Sequence, residues 1–151
     1  MTTSRGLAAR SLISPSFFVS IAENEGLADG MAPLGAAVAV HIACHARAQN
    51  MGQKAAEMLR LLPETEVRVT ERCSGHGGSW GIMKENFDVA LKIGRLVARD
   101  AAKDSPGFVV SECPLARDHI VQGVGRLGEP VDGITPAPAP GVELMACTYG
   151  L

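Results

Sequence analysis

The stretch that most constrains this chain is Ala36–Ala43, "AAVAVHIA". It is apolar almost without interruption and rich in valine. It lacks the alternation of a strand with one face in water. Such a run fits a strand buried on both faces, which occurs in parallel sheets covered by helices. The neighbouring segments agree. Arg47–Leu62 places Met51, Ala55, Met58, Leu59 and Leu62 at three- and four-residue steps, the spacing of a helix with one apolar face. Pro63 stops it. Glu66–Thr70 alternates as a second strand, with Val67 and Val69 on one side. Lys84–Lys103 reads as a second helix, its inner stripe being Phe87, Ala90, Leu91, Gly94, Val97, Ala98 and Ala101. Phe108–Ser111 is a third strand, and Pro114 opens a third helix running to about Gln122. A short helix is expected at 17–27 and another in the closing "GVELMACTYGL", while Gly128–Pro140 reads as a surface loop. Strand and helix alternate, so the expectation is a single-domain α/β fold with a parallel sheet, flanking helices and right-handed crossovers. Residues 33–151 would form the domain and 1–32 an N-terminal segment.

Composition narrows the function classes. The 151 residues are 46% hydrophobic but only 4% aromatic, so the core must be aliphatic. A net charge of −2 offers no basic surface for nucleic acid. No apolar run approaches the length of a transmembrane segment. The first residues, "MTTSRGLAARSLISPSFFVS", have arginines, serines and no acid, but Pro15 interrupts the amphipathic helix a presequence needs. A mis-set start or a cut from a longer chain is the expectation there. The four cysteines, Cys44, Cys73, Cys113 and Cys147, are scattered, unlike those of a small disulfide-dense secreted domain. A reducing, cytoplasmic compartment follows, where cysteines are buried or hold metal.

Cys44, Cys73 and Cys113 each follow a predicted strand. In an open parallel sheet all such ends lie on one edge, the edge where ligands bind. Thiolates there suit iron–sulfur clusters, zinc or copper. The segment "ERCSGHGGSWG" (Glu71–Gly81) adds glycine backbone whose N–H groups are unobstructed. The competing reading is that each cysteine is a small buried residue; Cys147, on the last helix, lies outside the pattern and is read as structural. His76 is the leading histidine candidate for a ligand, ahead of His45 and His119, and His41 is read as packed within the first strand. Trp80 is placed over the site, with plain packing as the alternative. The glycine loop is no dinucleotide fingerprint, because Trp80 occupies the third glycine position. The chain also has no phosphate-binding P-loop and no G-x-S-x-G elbow. A thiol enzyme using Cys73 stays open as an alternative.

Three segments carry a resemblance: "HIACHARAQNMG" (His41–Gly52), "CSGHGGSWGIMKENF" (Cys73–Phe87) and "SECPLARDHIVQG" (Ser111–Gly123), followed by "VELMACTYGL" as a closing helix. Together they resemble the CCG, or cysteine-rich, domain of iron–sulfur oxidoreductases. That family includes the C subunit of anaerobic glycerol-3-phosphate dehydrogenase, the iron–sulfur subunit of glycolate oxidase and the B subunit of heterodisulfide reductase. The likeness covers about residues 17–151 and looks like the second half of a longer pattern. The family pattern is one Cys, then Cys-Cys-Gly, then Cys-x-x-Cys. Here Ser74 and Ala116 stand where two of those cysteines would be. The resemblance implies an electron-transfer domain with an iron–sulfur cluster, [4Fe–4S] or [3Fe–4S], on Cys44, Cys73 and Cys113; three thiols are too few for the five-cysteine arrangement. It places the backbone of Gly75, His76, Gly77 and Gly78 against the cluster, with His76 as a fourth ligand or hydrogen-bond donor. It implies a flavoprotein dehydrogenase or other redox subunit as partner, peripheral at the inner membrane through such partners, and a ferredoxin-like or second CCG half elsewhere. Zinc at the same thiols, in a docking or scaffold domain with no redox step, is the alternative.

Overall fold

A computed structural model describes residues 14–127 and 137–151. Its centre is a parallel sheet of β1 (Val38–His41), β2 (Val67–Thr70), β3 (Phe108–Ser111) and a short β4 (Ala137–Pro138), in the order β2-β1-β3-β4. The helices are α1 (Ser14–Asn24), α2 (Cys44–Ala48), α3 (Lys54–Leu59), α4 (Phe87–Ile93), α5 (Arg95–Ala102), α6 (Pro114–Gly125) and α7 (Gly141–Thr148). The parallel α/β architecture is the one the apolar run demanded: β1 is buried at every position.

The alternation of β1 splits the core in two. Val38, Val40 and Ile42 face one side, where Met58, Leu59, Val110, Leu144 and Met145 from α3, β3 and α7 complete a cluster that α1 joins through Val19. Ala39 faces the other side with Val97, Ala98, Ala101, Ile120 and Val124 from α5 and α6. Met58 and Leu59 are fully buried, each stabilising the fold by about 1.5–3 kcal/mol. The small Ala39 lets α5 approach the sheet closely.

Three expectations needed correction. The helix read as Arg47–Leu62 is two pieces, α2 and α3, because Asn50 (φ 53°) and Gly52 (φ 69°) adopt left-handed backbone between them. The apolar spacing survived the break because Ala55, Met58, Leu59 and Leu62 all face the core. The helix read as Lys84–Lys103 begins only at Phe87, after a 3-10 turn at Trp80–Ile82, and breaks at Gly94. Gly94 lies where a Cβ would collide with the carbonyl of Ser74, so the glycine loop and the α4–α5 junction are pressed together there. The loop expected at Gly128–Pro140 contains β4 at its end, which pairs Ala137 with Phe108 and Pro138 with Val109; its residues 128–136, like 1–13, lie outside the described residues. No helix among the described residues is long and apolar enough to cross a membrane.

Candidate metal centre

His41, Thr70 and Ser111 form one paired row at the carboxyl end of three adjacent strands. Cys44 and Cys73 lie three residues beyond that row and Cys113 two, so the register carries all three to the same edge of the sheet. Cys44 and Cys73 are exposed, Cys113 is half-buried, and all four cysteines are free. Cys113 precedes Pro114, the first residue of the 12-residue α6.

The loops bearing the thiols are tied by polar links. Arg47, one helical turn after Cys44, donates from Nη2 to Cys44 Sγ (3.5 Å) and from Nη1 to the carbonyl of Glu71 (2.5 Å). One guanidinium thus joins the first thiol to the backbone just ahead of the second. Arg72 is held by an ion pair to Asp100 of α5 (2.5 Å). Its carbonyl accepts from His41 Nε2 (2.9 Å), and the other ring nitrogen, Nδ1, lies 3.1 Å from Ser111 Oγ. Ser111 Oγ accepts from the Cys113 amide (3.3 Å). His76 Nε2, inside the glycine loop, lies 3.4 Å from Cys113 Sγ.

Of the proposed donors, the structure therefore brings Cys113 and His76 into contact. Among the described residues no three His, Cys, Asp or Glu side chains lie close enough together to hold a single metal ion. The histidine in contact with a thiol serves Cys113 and not Cys73, the thiol that the alternative of a thiol enzyme would use. Burial, with His119 nearby, holds the His76 imidazole below its ordinary pKa. Burial likewise lowers His41, against the raising effect of the Arg72 carbonyl, with Arg47 and His76 adding to the lowering. His119 is buried, stacked edge-on against Phe87, and neither ring nitrogen has a hydrogen-bond partner.

The glycine loop is built by packing. Gly75 has φ +85°, and a Cβ there would run into the carbonyl of Ala90 and come within 2.8 Å of Gly94 N. Glycine at 75 is thus needed for the close approach to α4. By contrast, Gly78 (φ +66°) has nothing within 4 Å of a would-be Cβ and faces open space. The loop is closed by Gly81 N–H donating to His76 O (2.7 Å). Trp80 is 41% exposed, so it borders the loop without sealing it. Cys147 is exposed on α7.

A cavity of about 310 Å³ opens beside this edge, lined by His45, Met58, Val110, Glu112, Arg117 and Val142 among others. Glu112 Oε1 is buried there without a hydrogen-bond partner, and burial pushes its carboxyl above the usual range while His45 pulls the other way.

Sequence reasoning missed Arg47, Arg72 and Ser111. The one available signal was their position one helical turn after Cys44, directly before Cys73 and two residues before Cys113. His41 was located correctly, but its role was not. A polar residue inside an apolar run marks a place where a buried hydrogen bond must be made.

The cysteine-rich (CCG) domain family model matches residues 38–115, which run from the start of β1 into the first turn of α6. The C subunit of the anaerobic glycerol-3-phosphate dehydrogenase of Escherichia coli K12 is 30% identical over 98 residues, covering 64% of this chain and 25% of that protein. An uncharacterized iron-sulfur protein of Methanocaldococcus jannaschii is 31% identical over 99 residues, covering 64% of this chain and 20% of that protein. The chain thus spans about a quarter or less of the length of these relatives. No solved structure matches it significantly.

Proposed function

The chain belongs to the cysteine-rich (CCG) domain family, and we propose that it is an iron–sulfur-binding electron-transfer domain of an oxidoreductase. Cys44, Cys73 and Cys113 are the proposed ligands. The observation that carries this reading is the register that sets three thiols beyond one paired row of three adjacent parallel strands.

The donors suit such a group in chemistry and in placement. Thiolate sulfur is the ligand that iron–sulfur clusters take, and an imidazole is a known substitute on such iron. The thiols follow the ends of three adjacent strands, which lie about 4.8 Å apart. When bound, a cluster would accept and give up one electron at a time. The chain's own residues would do the rest. Arg47 sets positive charge beside Cys44, which complements the negative charge of thiolate ligation. His76 stands at Cys113 Sγ, where it serves as a fourth donor or as a hydrogen bond to that sulfur. The open flank at Gly78 leaves backbone free to approach a cluster. Trp80, half-exposed, limits water at one side only.

The relatives' names support the same reading: one is a subunit of a dehydrogenase and the other an iron-sulfur protein. The proposed partner is a flavoprotein dehydrogenase or another redox subunit, with further clusters supplied by a ferredoxin-like or second CCG half, as the resemblance implies. The test is iron retention after purification without oxygen. Cys73→Ala is expected to lose the visible absorption and the iron of the wild-type chain while its circular dichroism stays unchanged. Cys147→Ala is expected to keep both. Full iron in Cys73→Ala would show that the ligand assignment is wrong.

A further inference from the structure

We propose that His41 is the positioning residue that fixes the Cys73 loop relative to Cys113, through a hydrogen-bond chain of defined direction. The sequence placed this histidine in packing. In the structure it is 1% exposed and stands in the central strand between the two loops.

The direction follows from the partners. Arg72 offers a carbonyl, which can only accept, so His41 Nε2 carries the proton and donates to it (2.9 Å). Burial favours the neutral ring, so Nδ1 is left as an acceptor. The Ser111 hydroxyl, 3.1 Å away, therefore donates to Nδ1. Its oxygen keeps a lone pair for the Cys113 amide (3.3 Å). The chain runs Cys113 N–H to Ser111 O–H to His41 Nδ1, and then His41 Nε2–H to the carbonyl that precedes Cys73. Each N–H and O–H in the chain has one acceptor, and such chains strengthen cooperatively in a low-dielectric interior.

Strand β1 separates β2 from β3, so the strands that lead to the two thiols lie about 9.6 Å apart. Side chains on the loops alone would leave that distance loose. His76 reaches Cys113 Sγ from three residues beyond Cys73, but from a part-buried position on the glycine loop itself. Arg47 makes the corresponding tie between Cys44 and the Glu71 carbonyl, but from an exposed position. His41 makes its tie from a side chain that is itself 1% exposed, which limits competition from water. This positioning role rests on the reading that Cys73 and Cys113 serve one bound group.

The test uses the full metal-free chain, with two readouts. The first is the ring tautomer of His41 by nitrogen NMR, expected to be the Nε2–H form and to remain so in Ser111→Ala. The second is cross-linking of Cys73 to Cys113 with bifunctional thiol reagents of graded length, the linked pair being identified by peptide mapping. Wild type is expected to favour one length. In Ser111→Ala and in His41→Leu that preference is expected to fall by about five-fold or more, since each removes two bonds of the chain and a single net hydrogen bond already implies that factor. His41→Gln, which keeps a donor for the Arg72 carbonyl, is expected to recover part of it. An Nδ1–H tautomer in wild type, or an unchanged length preference in Ser111→Ala, overturns the proposal; the latter holds even if His41→Leu fails to fold. Both readouts are taken without metal, so their failure is distinguishable from failure of the cluster reading, which iron content decides.

Discussion

Gly75→Ala is expected to destabilise the domain by about 3 kcal/mol, and Gly78→Ala by about 1 kcal/mol or less. Both glycines have positive φ, +85° and +66°, and an L-residue in left-handed backbone costs about 1–2 kcal/mol. Alanine also restricts the unfolded chain, which returns about 0.4–1 kcal/mol in each case. The two positions differ in what a methyl group would meet. At Gly78 it meets nothing within 4 Å. At Gly75 it meets the carbonyl of Ala90 and the amide nitrogen of Gly94. These are backbone atoms in the α4–α5 junction that cannot swing aside as a side chain would. Overpacking of this kind costs about 1–3 kcal/mol more. For a chain of this length 1 kcal/mol corresponds to about 2–4 °C in Tm. Gly75→Ala should therefore melt about 10 °C below wild type and Gly78→Ala within about 3 °C of it. Thermal and urea unfolding followed by circular dichroism, on metal-free protein, measures both. Equal losses at the two sites would refute the claim that Gly75 is fixed by contact with α4 and that Gly78 faces an open flank.

Other consequences are as direct. Gly94→Ala should also lower Tm, by less than Gly75→Ala, since its Cβ would strike the Ser74 carbonyl while its φ of −74° carries no left-handed cost; a Tm near wild type would contradict the close approach. His41 has a lowered pKa in the fold, so the native state binds fewer protons than the unfolded chain just below the ordinary value of 6.5. Its contribution to stability is complete above that value and is lost as pH falls from it toward the lowered one. A urea midpoint that declines across that window in wild type, and declines less in His41→Gln, is the expected result. Glu112 is raised instead, so its contribution runs the other way: present at low pH and lost as pH rises above 4.5 toward the raised value. Glu112→Gln should accordingly raise Tm at neutral pH in the metal-free chain and change it little at low pH. Arg47→Met, which keeps the stem but removes the positive charge beside Cys44 and the link to the Glu71 carbonyl, should slow the reaction of Cys44 with alkylating reagents without unfolding the chain, because the thiolate is the nucleophile and a neighbouring cation favours it. An unchanged rate would show that the guanidinium does not act on the thiol.

The sequence was readable where one physical rule acted alone. A continuous apolar run has few ways to be buried, so β1 and the parallel sheet followed from Ala36–Ala43. The inner stripes of α3, α4 and α5 followed from three- and four-residue spacing. The breaks at Asn50–Gly52 and Gly94 were hidden because the core-facing residues resume in phase after each of them. Gly94 is a glycine for the sake of Ser74, a neighbour in space and not in sequence. The placement of the three thiols on one edge was legible because strand ends in a parallel sheet share a side. The ties between them were not. His41, Ser111 and Arg72 meet only through strand register, and the partners of a buried imidazole cannot be read before the register is known. The short strand at Ala137–Pro138 was missed because proline argues against strands. It is tolerated because β4 lies at the sheet edge.

The central claim is that the thiols at this sheet edge hold an iron–sulfur cluster. It is tested most directly by iron, zinc and acid-labile sulfide analysis of the chain purified without oxygen and reconstituted with ferrous iron and sulfide. Iron and acid-labile sulfide together, at roughly three or four iron and about four sulfide per chain as such clusters require, is the predicted result. Zinc without sulfide, or a folded chain that takes up neither iron nor sulfide, would contradict it.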